Sequence, residues 1–151
     1  MSLFGSFRRP FLTESERSQL DDGLAHAIRH AGAPIALRID ARASGDPDAR
    51  ASALFAEWTL SSEDRTRAVL LYACAATQKF AVAAGEEIRA AAPPAFWTSL
   101  ESDLTRHFTE ARYCDGLFKA IATIATTQRS VFVATDRCHS QPPPPPEESD
   151  P

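Results

Sequence analysis

At 151 residues, with 44% hydrophobic and 24% charged side chains, the chain has the size and composition of one ordinary globular domain around a single core. A net charge of −4 speaks against broad binding to nucleic acid or to an anionic membrane, since both need a basic surface. No apolar run approaches the ~20 residues needed to span a bilayer, and MSLFGSFRRPF lacks the apolar region and cleavage site of a secretory signal, so the expectation is a cytoplasmic protein with no nucleic-acid or membrane partner.

Residues 1–10 read as an N-terminal extension. Thr13 followed by Glu16 is a capping box, and Leu20, Leu24, Ala27, Ile28 and Ala31 then recur at helical spacing. Gly32 and Pro34 end that first helix. Ile35, Leu37 and Ile39 alternate with Ala36, Arg38 and Asp40, as in a strand with one buried face. Asp46 before Pro47 is the N-cap pattern of a second helix, striped by Ala51, Leu54, Phe55 and Trp58. SSEDRTR reads as a polar loop. AVLLYAC is a continuous apolar run, expected of a central strand covered on both faces. After the turn AATQ, KFAVAA reads as the returning strand of a hairpin, although the turn lacks Asn-Gly. A third helix carries Phe96, Trp97, Leu100, Leu104 and Phe108. EARYCDG breaks it, and a fourth carries Leu117, Ile121 and Ile124. VFV at 131–133 either extends that helix or adds a short edge strand. From residue 134, five consecutive prolines and following acids form a stiff tail unable to bury enough apolar area to fold. The expected fold is an α/β sandwich: a small mixed sheet with about four main helices on its faces.

Cys74, Cys114 and Cys138 are odd in number and lack metal-ligand spacing, so neither a disulfide framework nor a zinc site is indicated. No phosphate-binding loop, nucleophile elbow or HExxH motif is present. Asp22, His26 and His30 share one helix face, but that face lies opposite the Leu20/Leu24 stripe and reads as solvated. His107 reads as packing at a helix end.

The acids at strand ends carry the more specific chemistry, because a rigid scaffold can aim loop residues there. Asp40 ends the first strand, Glu86 and Glu87 follow the third, and Asp46 and Asp48 open the second helix. Brought together, Asp40, Glu86 and Asp46 would offer oxygen ligands to Ca²⁺ or Mg²⁺, which could position a phosphate and polarise it. The competing reading is that each acid caps a helix or rims a loop; Asp46 is already accounted for as a cap.

PPAFWTSLESDLTRHFTEARYCDGLFKAI, with Pro93, Phe96, Trp97, His107, Phe108, Tyr113, Gly116 and Leu117 in order, resembles the TPM domain family. FLTESER at 11–17, GDPDARASALF and RAVLLYAC resemble other parts of the same domain, over roughly residues 11–128. The resemblance implies an αβα sandwich and makes residues 11–133 the TPM-like domain, with 134–151 as the tail. It also implies links to acid phosphatase activity, divalent cations or, in plants, photosystem repair. Three departures stand out. Ala33 and Pro34 precede Ile35 where the family carries Gly-Glu. Arg67 and Ala68 stand where it carries Asn-Gly. Ala84, Gly85, Glu86, Glu87 and Ile88 stand where it carries Gly-Asp-x-Gly-Ile, so that the family aspartate falls on Gly85. The candidate cleft is therefore Asp40, Arg67, Glu86 and Glu87, with Arg67 expected to pair with Glu86 or Asp40. The expected role is a binding or repair- and stress-associated module with a degenerate site and no cofactor; its proline-rich tail reads first as an unbound solubilising segment and second as a ligand for an unknown protein partner. The alternative is a phosphomonoester hydrolase assisted by Ca²⁺ or Mg²⁺.

Overall fold

The computed structural model describes residues 11–42 and 45–140, with side chains to residue 132. Thr13 caps α1 (Glu14–Ala31): its hydroxyl accepts from the Glu16 amide while the Glu16 carboxylate accepts from the Thr13 amide, as the capping box predicts. Gly32 ends the helix in the left-handed region at φ 67°. Then follow β1 (Ile35–Asp40), α2 (Pro47–Glu57), α3 (Ser62–Arg67), β2 (Val69–Cys74), β3 (Lys79–Ala84), α4 (Glu86–Ala91), α5 (Pro94–Thr109) and α6 (Tyr113–Ser140).

The three strands form an open mixed sheet in the order β1–β2–β3, with β1 parallel and β3 antiparallel to the central β2. Every residue of β2 is buried, which is why its sequence is apolar without alternation. Ile35, Val69, Leu71 and Ala73 face the larger core, built with Leu20, Leu100, Leu104, Leu117, Ile121 and Ile124 from α1, α5 and α6. Leu70, Tyr72, Cys74, Ala81 and Ala83 face the smaller core, closed by Ala51 and Leu54 of α2. The architecture is thus an αβα sandwich with four helices longer than six residues, as expected.

The structure corrects three local expectations. SSEDRTR is the short helix α3, not a loop. Ser61 caps it by accepting from the Asp64 amide, acids fill its first turn and Arg65 and Arg67 its last. Of the two readings of 131–133 the helical one holds, and residues 134–140, expected to begin the unfolded tail, continue α6 to Ser140; the prolines beyond lie outside the described residues. Ile28, placed on the buried stripe of α1 by its spacing, is 38% exposed, and Leu20, Ala27 and Ala31 form the buried face. Trp58 and Trp97 are half-buried at the two cores. Among the described residues, no helix is long and apolar enough to cross a membrane.

Candidate functional site

The sheet register separates the candidate residues into two groups. Asp40 pairs with Cys74 at one end of β2, whereas Ala84, immediately before Gly85 and Glu86, pairs with Val69 at the other. Five residue steps along β2 separate the two ends, about 17 Å at roughly 3.3 Å per residue. The four-residue cleft and the joint Asp40–Glu86 cation site expected from the sequence therefore do not assemble; antiparallel return of β3 carries its far end away from Asp40. Among the described residues no three His, Cys, Asp or Glu side chains converge as a metal site.

At the first end, Asp40 is held by three donors. Its Oδ2 accepts from Arg50 Nε at 3.0 Å and from the Tyr72 hydroxyl at 3.0 Å, and its Oδ1 from Arg38 Nε at 3.3 Å. Its side chain is only 15% exposed. Burial alone would raise its pKa, but the hydrogen bonds from Arg50 and Tyr72 and the charges of Arg50 and Arg38 outweigh it, so the carboxyl lies below the usual range. The same geometry acts inversely on Tyr72: burial, then the hydrogen bond to Asp40 and its negative charge, push the phenol up to about 12. Asp46, at the start of α2, caps that helix by accepting from the Ala49 amide at 3.0 Å.

At the second end, Glu86 and Glu87 are not loop residues but the first turn of α4, where carboxylates favour the exposed amides of a helix start. Glu86 is exposed. Glu87 Oε1 accepts from Arg67 Nε at 3.1 Å and from the Thr66 hydroxyl at 3.2 Å. The expected partner of Arg67 was Glu86 or Asp40; a helical turn instead points Glu87 back toward α3. The Arg67 guanidinium also lies over the Phe132 ring, 4.6 Å from its centroid, and its side chain is 16% exposed.

The backbone around this pair is closely packed. Gly85 donates to the Ala68 carbonyl at 2.9 Å. A Cβ on Gly85 would stand 2.1 Å from the Arg65 carbonyl oxygen and 2.4 Å from that of Thr66. α3 is in turn tied to the end of α2 by Arg65, which donates to the carbonyls of Phe55, at 2.8 Å, and Trp58. Gln128, fully buried on α6 and not singled out by the sequence, donates from Nε2 to the carbonyls of Pro34 at 3.2 Å and Arg67 at 2.9 Å. It pins together the entries of the two parallel strands. A lone glutamine inside the apolar stripe of the fourth helix was the available signal.

His107 is buried at the end of α5 with Nδ1 2.7 Å from the Asp103 carbonyl, as expected of a packing residue. Asp22, His26 and His30 line a groove between α1 and α6.

The fold and these residue placements define a TPM-type αβα sandwich. A family model, TPM_phosphatase, described as the TPM domain, matches residues 8–127, and the chain belongs to that family. A comparison with curated proteins finds no match. Among solved structures, the chain is similar to the NMR structure of the BA42 protein from the psychrophilic bacterium Bizionia argentinensis. The TM-score is 0.71 at 18% identity, over 82% of this chain and 86% of that one. It is also similar to the N-terminal domain of a protein from P. gingivalis, with a TM-score of 0.63 at 15% identity over 81% of this chain and 80% of that one. These likenesses show a shared fold.

Proposed function

We propose that this TPM domain acts by binding and not by metal-assisted hydrolysis, its strand-end acids serving as fixed structural ion pairs. The observation that carries this reading is the packing at Gly85. The position that aligns with the family aspartate has carbonyl oxygens within 2.1–2.4 Å of where any side chain would begin. The neighbouring carboxylate, Glu87, is already engaged by Arg67 and Thr66. A cation beside Arg67 would meet a like charge, which disfavours an ion site. The other acid, Asp40, has hydrogen-bond donors on both oxygens and lies at the opposite end of the sheet. Residence in the cytoplasm, and recruitment of a protein partner by the proline-rich segment, complete the reading.

Melting curves with and without millimolar Ca²⁺ or Mg²⁺ test it, because a ligand at a hundred times its Kd adds about 2.7 kcal/mol of stability. No shift is expected. A phosphomonoester assay should give equal rates for the wild type and Glu87→Gln. A cation-dependent rise in Tm together with hydrolysis lost in Glu87→Gln or Asp40→Asn would reverse the assignment.

A further inference from the structure

β3 is an outer strand, and its free edge faces a groove. Gly85 donates to the Ala68 carbonyl at 2.9 Å, which fixes the alternation of the β2–β3 ladder. Lys79, Ala81 and Ala83 turn their N–H and C=O groups toward β2, so those of Phe80, Val82 and Ala84 point away from it. Among the described residues none hydrogen-bonds to these six outward groups. The same three side chains lie on the larger-core face, the one that carries α5. Two cavities follow each other along this edge, between β3 and α5. One, of about 350 Å³, is lined by Val82, Ala84, Arg89 and Trp97. The other, of about 490 Å³, is lined by Phe80, Thr105, Asp46 and Asp48. Ala84 thus falls beside the start of α5 and Phe80 beside its end. From Phe80 to Ala84 is about 14 Å at roughly 3.4 Å per residue, so the two cavities cover the length of the strand.

We propose that this edge binds an extended peptide segment of a partner protein, which joins the sheet as a fourth strand antiparallel to β3. The backbone sets the class of partner. Three residues of an antiparallel strand, each opposite one of Phe80, Val82 and Ala84, would meet all six outward groups, a repeat that a docked helix does not offer. The side chains set its pattern. Residues opposite Ala84, Val82 and Phe80 point to the α5 side and into the cavities, and the residues between them point to the other face. Taken from the peptide's N-terminus, the first meets the exposed Arg89 guanidinium, the second meets Val82 and Trp97, and the third meets Asp46 and Asp48, which outnumber the neighbouring Lys79. The complementary sequence is acidic–x–apolar–x–basic. Neither Asp40 nor Glu87 takes part, so the inference does not rest on the absence of a cation site, and a cation titration and a peptide titration fail independently.

The test uses the full chain and the acetylated, amidated heptapeptide TETVTKT, titrated to about 1 mM. In the free chain, amide hydrogen exchange should be fast at Phe80, Val82 and Ala84 and slow at Ala81 and Ala83. The peptide should slow exchange at the first three. N-methylating its valine should abolish binding, because that N–H donates to the Val82 carbonyl; N-methylating either adjacent threonine should not, because those amides point away from β3. Arg89→Glu should weaken binding about fivefold, and the peptide TKTVTKT should recover it. No added protection at those three amides would overturn the proposal, as would equal binding by the N-methylvaline peptide. Slow exchange at Phe80, Val82 and Ala84 already in the free chain would also overturn it. Protection independent of protein concentration would assign the edge to another part of the same chain, and protection that grows with concentration would assign it to a second copy.

Discussion

The two ends of the sheet each hold an arginine against a carboxylate, but with opposite members buried. At the β1 end the acid is enclosed: Asp40 is 15% exposed and collects two arginines and a phenol. At the β3 end the base is enclosed: Arg67 is 16% exposed and lies on Phe132, while Glu87 is 36% exposed. The difference decides what each end tolerates. Removing the enclosed Asp40 carboxylate strands the donors around it, whereas at the other end the enclosed group is the donor, which needs only that an acceptor oxygen stay at position 87.

The largest effect should come from the backbone packed at the β3 end. Gly85→Ala forces a Cβ into the Arg65 and Thr66 carbonyls, which are not flexible side-chain tips, and should destabilise by about 3 kcal/mol in chemical denaturation. Next is Asp40→Ala, which leaves the buried Tyr72 hydroxyl without its acceptor and should cost about 2 kcal/mol. Arg67→Ala should cost about 1–2 kcal/mol, chiefly through lost packing on Phe132; Arg67→Met should recover part of it if packing, and not charge, is what matters there. Glu87→Gln should stay within about 0.5 kcal/mol, because the amide oxygen still accepts from Arg67 and the charge given up is at a half-solvated position. A Glu87 loss as large as that of Asp40 would break the comparison.

The ends also differ in pH response. Tyr72 has its folded pKa raised from 10 to about 12, so the unfolded chain loses that proton first as pH rises. Stability present below pH 10 should fall between pH 10 and 12, and Tyr72→Phe should flatten that fall in melts across the range. Asp40 works in the other direction. Its folded pKa is lowered from 3.8, so its contribution is present above about pH 4 and lost on further acidification. Asp40→Asn should remove that acid slope.

Elements with one dominant local signal were legible in the sequence. The capping box at Thr13, the Asp46-Pro47 start and the apolar run of β2 each fix their own geometry within a few residues. The family was legible because the aromatic residues of α5 and α6 keep their order. The short helices α3 and α4 were not, since six residues cannot show a periodic stripe, and α3 buries none of its residues. Nor could the sequence say which strand ends meet. Asp40 and Glu86 both follow apolar strands, and only the pairing of β3 antiparallel to β2 puts them at opposite ends. The hairpin that sets this pairing closes through Gln78 at φ 56°, a conformation glycine would have announced.

Calorimetric titration of the wild-type chain with Ca²⁺, and separately with Mg²⁺, at neutral pH addresses the central claim most directly. Closed ion pairs at both ends predict no saturable heat. A saturable heat with Ca²⁺ that disappears in Glu87→Gln or Asp40→Asn would contradict the account, because it would show a carboxylate giving up its arginine to hold an ion.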